Sequence, residues 1–290
     1  MPGRNLLDAI ETAVRQRTET AFVAETAIPV GGGCINASYE LRGKGDRYFV
    51  KIHSSDRIQA FEDEASGLRE LRAANVIRVP APVCCGTADG HAFLVMEYLE
   101  FGEGDSDENL GRSIASLHRI HATRYGWKHD RRGGAPSDDW ISFWRTARLG
   151  AQLERARDNG HVGRVLDLGQ AVMDRLAVLF AGHRPPCSLL HGDLWSGNVA
   201  TLRDGEPVIF DPAVYYGDRE TDLALTELFG GFGKGFYRAY SESYPLDTGY
   251  ATRKEVYNLY HILNHLNLFG GGYLAQAERT MKSILRRSPD

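Results

Sequence analysis

Two short apolar runs, Ser188-Leu189-Leu190 and Val208-Ile209-Phe210, each open into a loop of polar residues, and this constrains the fold more than any other feature of the chain. The first leads into His191-Gly192-Asp193-Leu194-Trp195-Ser196-Gly197-Asn198; the second leads into Asp211-Pro212. Short apolar runs bounded by turn-forming residues read as buried strands, and strands of this kind bring both loops together. Asp211 follows Asp193 by eighteen positions. Asp and Asn favour turns by bonding their own backbone, which would account for any one of these residues. Three matched positions on two loops argue for a site instead.

The chemistry that such a set suits is phosphoryl transfer to an alcohol. That reaction needs little covalent help; it needs the hydroxyl oriented and the phosphate charge neutralised. Asp193 suits the orienting and deprotonating role. Asn198 offers a neutral oxygen and Asp211 a charged, hard oxygen, the donor types that Mg²⁺ takes.

A length of 290 residues exceeds one ordinary core and favours two lobes. The net charge of −4 carries no electrostatic footprint for nucleic acid and no polybasic patch for an acidic membrane. Small partners are therefore expected. Residues 1–20 alternate Leu6, Leu7, Ile10 and Val14 with charges, an amphipathic helix rather than a secretory leader, and no apolar run reaches membrane-spanning length. Cys34, Cys84, Cys85 and Cys187 are too scattered for a disulfide scaffold or a zinc site, so a reducing cytoplasm is expected.

Along the chain, residues 21–30, 37–41, 48–52, 83–87 and 93–99 have strand character and are joined by Gly- and Asp-rich turns, which predicts a small antiparallel sheet. Between them, residues 57–74 carry Phe61, Ala65, Leu68 and Leu71 at helical spacing. The acidic, Gly-rich stretch 100–109 marks the lobe boundary, dividing the chain into 1–99 and 100–290. Helices dominate beyond it: 110–121, 140–158, 162–181, 218–229 and two between 252 and 287, with a hairpin at 198–210 turning on Asp204-Gly205. The fold class is α+β.

A phosphoryl-transfer site also has to grip a nucleotide. Phe49-Val50-Lys51 ends a strand with a lysine able to meet phosphates, and Glu64, inward with Phe61 and Leu68, is placed to pair with it. Gly31-Gly32-Gly33 sits between two strands, where backbone amides fold over phosphates unobstructed by side chains. Met96-Glu97-Tyr98-Leu99 closes the last strand before the linker, where backbone groups meet an adenine edge.

With these residues in place, the chain resembles the fructosamine kinases, or ketosamine-3-kinases, within the protein-kinase-like phosphotransferases. The resemblance runs nearly end to end. It is carried by Leu190-His-Gly-Asp-Leu-Trp-Ser-Gly-Asn198, Asp211-Pro-Ala-Val-Tyr-Tyr-Gly217, Asp222-Leu-Ala224, Leu228-Phe-Gly-Gly-Phe232 and His261-Ile-Leu-Asn-His-Leu-Asn-Leu-Phe-Gly270. Aminoglycoside and choline kinases share His-Gly-Asp and the later Asp but not the full motif. The resemblance implies a bilobal protein-kinase-like fold: a small antiparallel N-lobe with one key helix and a larger, mainly helical C-lobe. It implies transfer of the γ-phosphate of ATP, with Mg²⁺, to the C3 hydroxyl of a ketosamine, free or on a protein lysine; the product releases its amine, which is deglycation. Asp193 becomes the base, Asn198 and Asp211 the metal ligands, Lys51 and Glu64 the phosphate-gripping pair, and Asp222 the anchor of the loop through backbone amides. Intact Lys51, Glu64, Asp193, Asn198 and Asp211 oppose a scaffold without turnover; another small hydroxylated amine is the alternative acceptor. Gly192 stands where many protein kinases carry an arginine, and few residues separate Asp211 from the helix near Asp218, so no phospho-switch is expected.

Trp195, two residues past the base, is placed to stack on the acceptor. His261 and His265 lie one helical turn apart, but without a third ligand they read as pocket lining or packing, with His265 facing the acceptor. Cys34, in the Gly-rich loop, is open to oxidation, which gives a monomer or a redox-sensitive dimer.

Overall fold

The computed structural model describes residues 2–31, 36–104, 106–127 and 135–287. Gly32, Gly33 and Cys34 of the Gly-rich loop lie outside the described residues. The chain divides into two compact units, Met1–Leu110 with Gly197–Ala213, and Gly111–Ser196 with Val214–Asp290.

The first unit is built on a five-stranded antiparallel sheet. It comprises β1 (Thr26–Val30), β2 (Ala37–Arg42), β3 (Arg47–Ser54), β4 (Pro82–Ala88) and β5 (His91–Glu97), in the spatial order β1-β2-β3-β5-β4. Helix α1 (Arg4–Thr18) presents Leu6, Ile10 and Val14, spaced four apart, to Val50, Ile52, Phe93 and Val95 of the sheet. Each of these side chains, when fully buried, contributes about 1.5–3 kcal/mol. Helix α2 (Ile58–Ala74) packs on β4 and β5 through Phe61, Ala65, Leu68 and Leu71. Strand periodicity then decides where the lysine goes. Since Val50 and Ile52 face the α1 core, Lys51 between them points to the opposite face.

Four shorter strands follow: β6 (Ser188–Leu190), β7 (Val199–Thr201), β8 (Pro207–Ile209) and β9 (Tyr215–Gly217), with β6 paired to β9 and β7 to β8. Both apolar runs singled out in the sequence are thus buried strands, each in its own ladder. The β7–β8 hairpin turns at Asp204-Gly205, with Gly205 at φ 88°, a region that costs L-residues strain. It belongs to the first unit for identifiable reasons. Val208 bridges Arg78, the Gly102 amide donates to the Thr201 carbonyl at 2.8 Å, and the Phe101 ring stacks on Phe210 with centroids 5.5 Å apart. The sequence places the lobe boundary at 99/100; Phe101, Gly102 and Ser106 contact this hairpin, and the first unit runs on to Leu110.

The second unit is mainly helical. Its elements are most of α3 (Asp107–Leu117), α4 (Trp140–Phe143) running through a π-helical turn at Trp144–Gly150 into α5 (Ala151–Asp158), then α6 (Arg164–Leu179), α7 (Glu220–Thr226), α8 (Lys234–Ser243), α9 (Tyr250–Phe269) and α10 (Leu274–Arg286). Helix α8 and strand β9 have no counterpart in the sequence reading. Helix α9 is the hub, packed against α5, α7 and α10 with Val256, Tyr257, Leu259, Ile262, Leu263 and Leu266 buried. Among the described residues, no helix is long and apolar enough to cross a membrane.

Candidate active site

In the first unit, Lys51 is the centre of the charge network. Its Nζ lies 2.6 Å from Oε1 of Glu64 on α2 and 2.6 Å from Oδ1 of Asp211 just past β8. The lysine side chain is 5 % exposed, Glu64 14 % and Asp211 41 %. Burial on its own would push the ammonium toward its neutral form, but the two carboxylates outweigh it and the Lys51 pKa is raised. Asp211 itself sits at φ 57°, a strained conformation for a side chain that is not Gly, of the kind found at functional sites.

Asn198 is buried and tied into the same hairpin. Its carbonyl accepts from the Phe210 amide at 3.1 Å, and its Nδ2 donates to the Asp211 carbonyl at 3.5 Å. A carboxylate oxygen and an amide oxygen on one short hairpin form a hard donor set that fits Mg²⁺. Gly31 follows β1, whose last residue Val30 pairs with Ser38, and Ser38 pairs in turn with Lys51 of β3. A Cβ at Gly31 would meet nothing within 4 Å. Of Met96-Glu97-Tyr98-Leu99, the first two lie in the β5 ladder, and the Glu97 amide donates to Ala81 at 2.8 Å. Tyr98 and Leu99 lie past the strand, with the Arg47 guanidinium 4.9 Å from the Tyr98 ring centroid.

In the second unit, the loop bearing Asp193 is held from beneath by Asp222 on α7. Asp222 Oδ2 accepts from the His191 amide and Oδ1 from the Gly192 amide, each at 2.8 Å. His118, fully buried on the chain just after α3, lies 3.2 Å from Asp222 through Nε2 and 2.9 Å from the Tyr240 hydroxyl through Nδ1. An ionised Asp222 only accepts, so Nε2 is the donor to it, and the Tyr240 oxygen accepts from Arg219 at 3.1 Å. Burial would raise the Asp222 pKa; the His118 hydrogen bond, the neighbouring imidazoles and the Gly192 amide overcome it and hold the carboxyl below its ordinary range. Gly192 has φ 81°, a left-handed conformation that glycine adopts without strain. Neither His118 nor Tyr240 stands out in the sequence, because a helical His among apolar residues carries no motif.

Trp195 and His265 meet through a residue that the sequence reading left without a role of its own. Phe229 lies 6.4 Å from Trp195, edge on, and 4.7 Å from His265. His265 is oriented by Nδ1 at 2.8 Å from the His261 carbonyl. His261 is buried, and desolvation first, then His265, pushes its pKa down to about 3. A separate group, His183, Asp218 and Glu220, has metal-ligand spacing, but its atoms are committed to one another and to protein: His183 to Asp218 at 2.6 Å, Tyr257 to Asp218, and Arg253 to both Glu220 oxygens at 2.7 Å.

Solved structures of aminoglycoside phosphotransferases share the fold of this chain. An aminoglycoside phosphotransferase, APH(2")-IIa in complex with gentamicin, superposes with a TM-score of 0.65 over all of this chain and 98 % of its own at 14 % identity, which speaks to the fold alone. A candidate fructosamine-3-kinase of Haemophilus somnus superposes with a TM-score of 0.87 at 28 % identity, over 97 % of this chain and 100 % of its own. The family model for fructosamine kinase matches residues 6–287, and the chain belongs to that family. A probable ketoamine kinase of Synechocystis is 45 % identical over 96 % of both chains. The chloroplastic protein-ribulosamine 3-kinase of Arabidopsis thaliana is 39 % identical over 89 % of this chain and 82 % of its own.

Proposed function

We propose that this protein transfers the γ-phosphoryl group of ATP to the C3 hydroxyl of ketosamines, fructosyl or ribulosyl adducts of amines or protein lysines. The observation that carries the nucleotide half is Lys51 bridging Glu64 and Asp211 at 2.6 Å each, with Asn198 on the same hairpin. Family membership and relatives named for ketoamines and ribulosamines carry the acceptor half.

In this reading Asp193 takes the proton of the C3 hydroxyl as its oxygen forms the new bond to phosphorus, and the bond to ADP breaks. Lys51, fixed by Glu64, neutralises phosphate charge, Gly31, Gly32 and Gly33 supply amides, and Tyr98 and Leu99 offer backbone to the adenine. Asn198 and Asp211 would hold Mg²⁺, which when bound screens the phosphates. Trp195 and His265 line the acceptor side. The 3-phosphate product is unstable and releases the amine. A cytoplasmic location and a monomer, or a dimer linked through Cys34, belong to the same proposal.

The test is ATP consumption against fructosyl-, ribulosyl- and erythrulosyl-amines beside choline and an aminoglycoside. Turnover confined to the ketosamines is expected; turnover on choline or the aminoglycoside alone would replace the acceptor assignment.

A further inference from the structure

Beyond Trp195 and His265 the second unit carries a strip of aromatic rings that the phosphoryl-transfer chemistry does not use. It starts at Trp195, 36 % exposed, and passes through Phe229 and His265 to Phe269 and Tyr273, whose centroids lie 5.4 Å and 5.2 Å from the His265 ring. Phe269 and Tyr273 are 6.3 Å from each other, and Phe269 is 52 % exposed. The strip therefore runs from Trp195, two residues past Asp193 in sequence, to the solvent-exposed Phe269.

The chain is built to hold it. His265 and Phe269 are one turn apart on α9, so they share a face. Gly270, at φ 86° and ψ −162°, occupies a conformation open essentially to glycine alone and ends the helix. The following turn, Gly271–Tyr273, brings Tyr273 back onto His265.

We propose that Phe269 and Tyr273 determine specificity for the group carried on the substrate's amine nitrogen, holding its apolar arm along this strip. The proposal rests on the ketosamine reading and goes beyond it. In a ketosamine the amine nitrogen is bonded to C1 and the reacting oxygen to C3, so with the C3 hydroxyl at Asp193 the nitrogen and its substituent extend away from the base. That nitrogen is cationic near neutral pH, and aromatic faces attract cations. The methylene stem of a lysine, or any alkyl or aryl arm, buries apolar area on the rings, while the solvent-exposed end at Phe269 leaves room for an attached polypeptide.

The experiment compares kcat/KM for ribulosyl adducts of methylamine, n-hexylamine and a lysine-containing peptide. The wild-type protein is expected to prefer the hexylamine and peptide adducts over the methylamine adduct. Phe269→Ser should lower kcat/KM for the hexylamine adduct about tenfold more than for the methylamine adduct. Phe269→Leu, which keeps apolar area at this exposed position, should restore most of the preference. Indifference of the wild type to arm length, or equal losses on both adducts in Phe269→Ser, overturns the proposal and leaves the ketosamine reading standing. Turnover on choline or an aminoglycoside with none on any adduct overturns both.

Discussion

The ammonium of Lys51 lies 2.6 Å from Oδ1 of Asp211, joining a strand of the main sheet to the hairpin that carries both metal-ligand candidates. Because Glu64 takes the same ammonium at 2.6 Å, one buried cation holds two carboxylates together. Lys51→Met should therefore lower kcat/KM for ATP by about a hundredfold or more. It should also destabilise the protein by about 2–4 kcal/mol at pH 7, since the cation held between the Glu64 and Asp211 carboxylates is lost.

In the proposed reaction Asp193 accepts the proton of the acceptor hydroxyl. Asp193→Asn keeps the shape and removes the base, so kcat should fall about 10²–10⁴-fold in steady-state assays. Calorimetric titration should find ATP affinity little changed; full activity in this variant would remove the assignment.

Asp222 holds the loop and carries a pH signature. Its folded pKa is depressed, so its stabilisation is present above the ordinary carboxylate value of 3.8 and is lost as pH falls through the lower folded value. Asp222→Asn should cost about 1.5–3 kcal/mol at neutral pH and flatten acid unfolding below about pH 4. Equal slopes for both proteins in that range would count against the anchor.

His261 acts in the same direction over a higher pH range, being a base buried in its neutral form. Its folded pKa is about 3 against an ordinary 6.5, so the unfolded chain binds a proton that the folded chain refuses between those values. Stability should fall by up to about 1.4 kcal/mol per unit as pH drops from about 6.5 toward 3. His261→Gln, which does not titrate, should flatten this limb in denaturant midpoints measured across pH.

Much of the site was legible because its chemistry is concentrated in short local patterns. Lys51 at a strand end, Glu64 on an apolar helical face, and Asp193, Asn198 and Asp211 at fixed spacing are readable from order and periodicity alone. The anchor Asp222 was legible through the family resemblance. His118 and Tyr240 were not, because they act through contacts 104 and 122 residues apart in sequence, and nothing local distinguishes them from core residues. Phe229 and Tyr273 escaped for the same reason: aromatic residues are read as packing until the turn at Gly270 shows which rings meet.

By itself the sequence determined the chemistry class, the sheet and helix periods, and that Lys51 and Glu64 would face each other, since all of these depend on spacing within one or two elements. Only the tertiary structure decided that the Asn198 and Asp211 hairpin packs with the sheet unit rather than with the helices flanking it in the chain. It also decided that the loop bearing Asp193 hangs on a buried His118-Asp222 pair and that Trp195 opens onto an aromatic strip. Those outcomes depend on which distant surfaces bury one another, a choice set by summed packing and hydrogen bonding over the whole chain and not by any segment's own pattern.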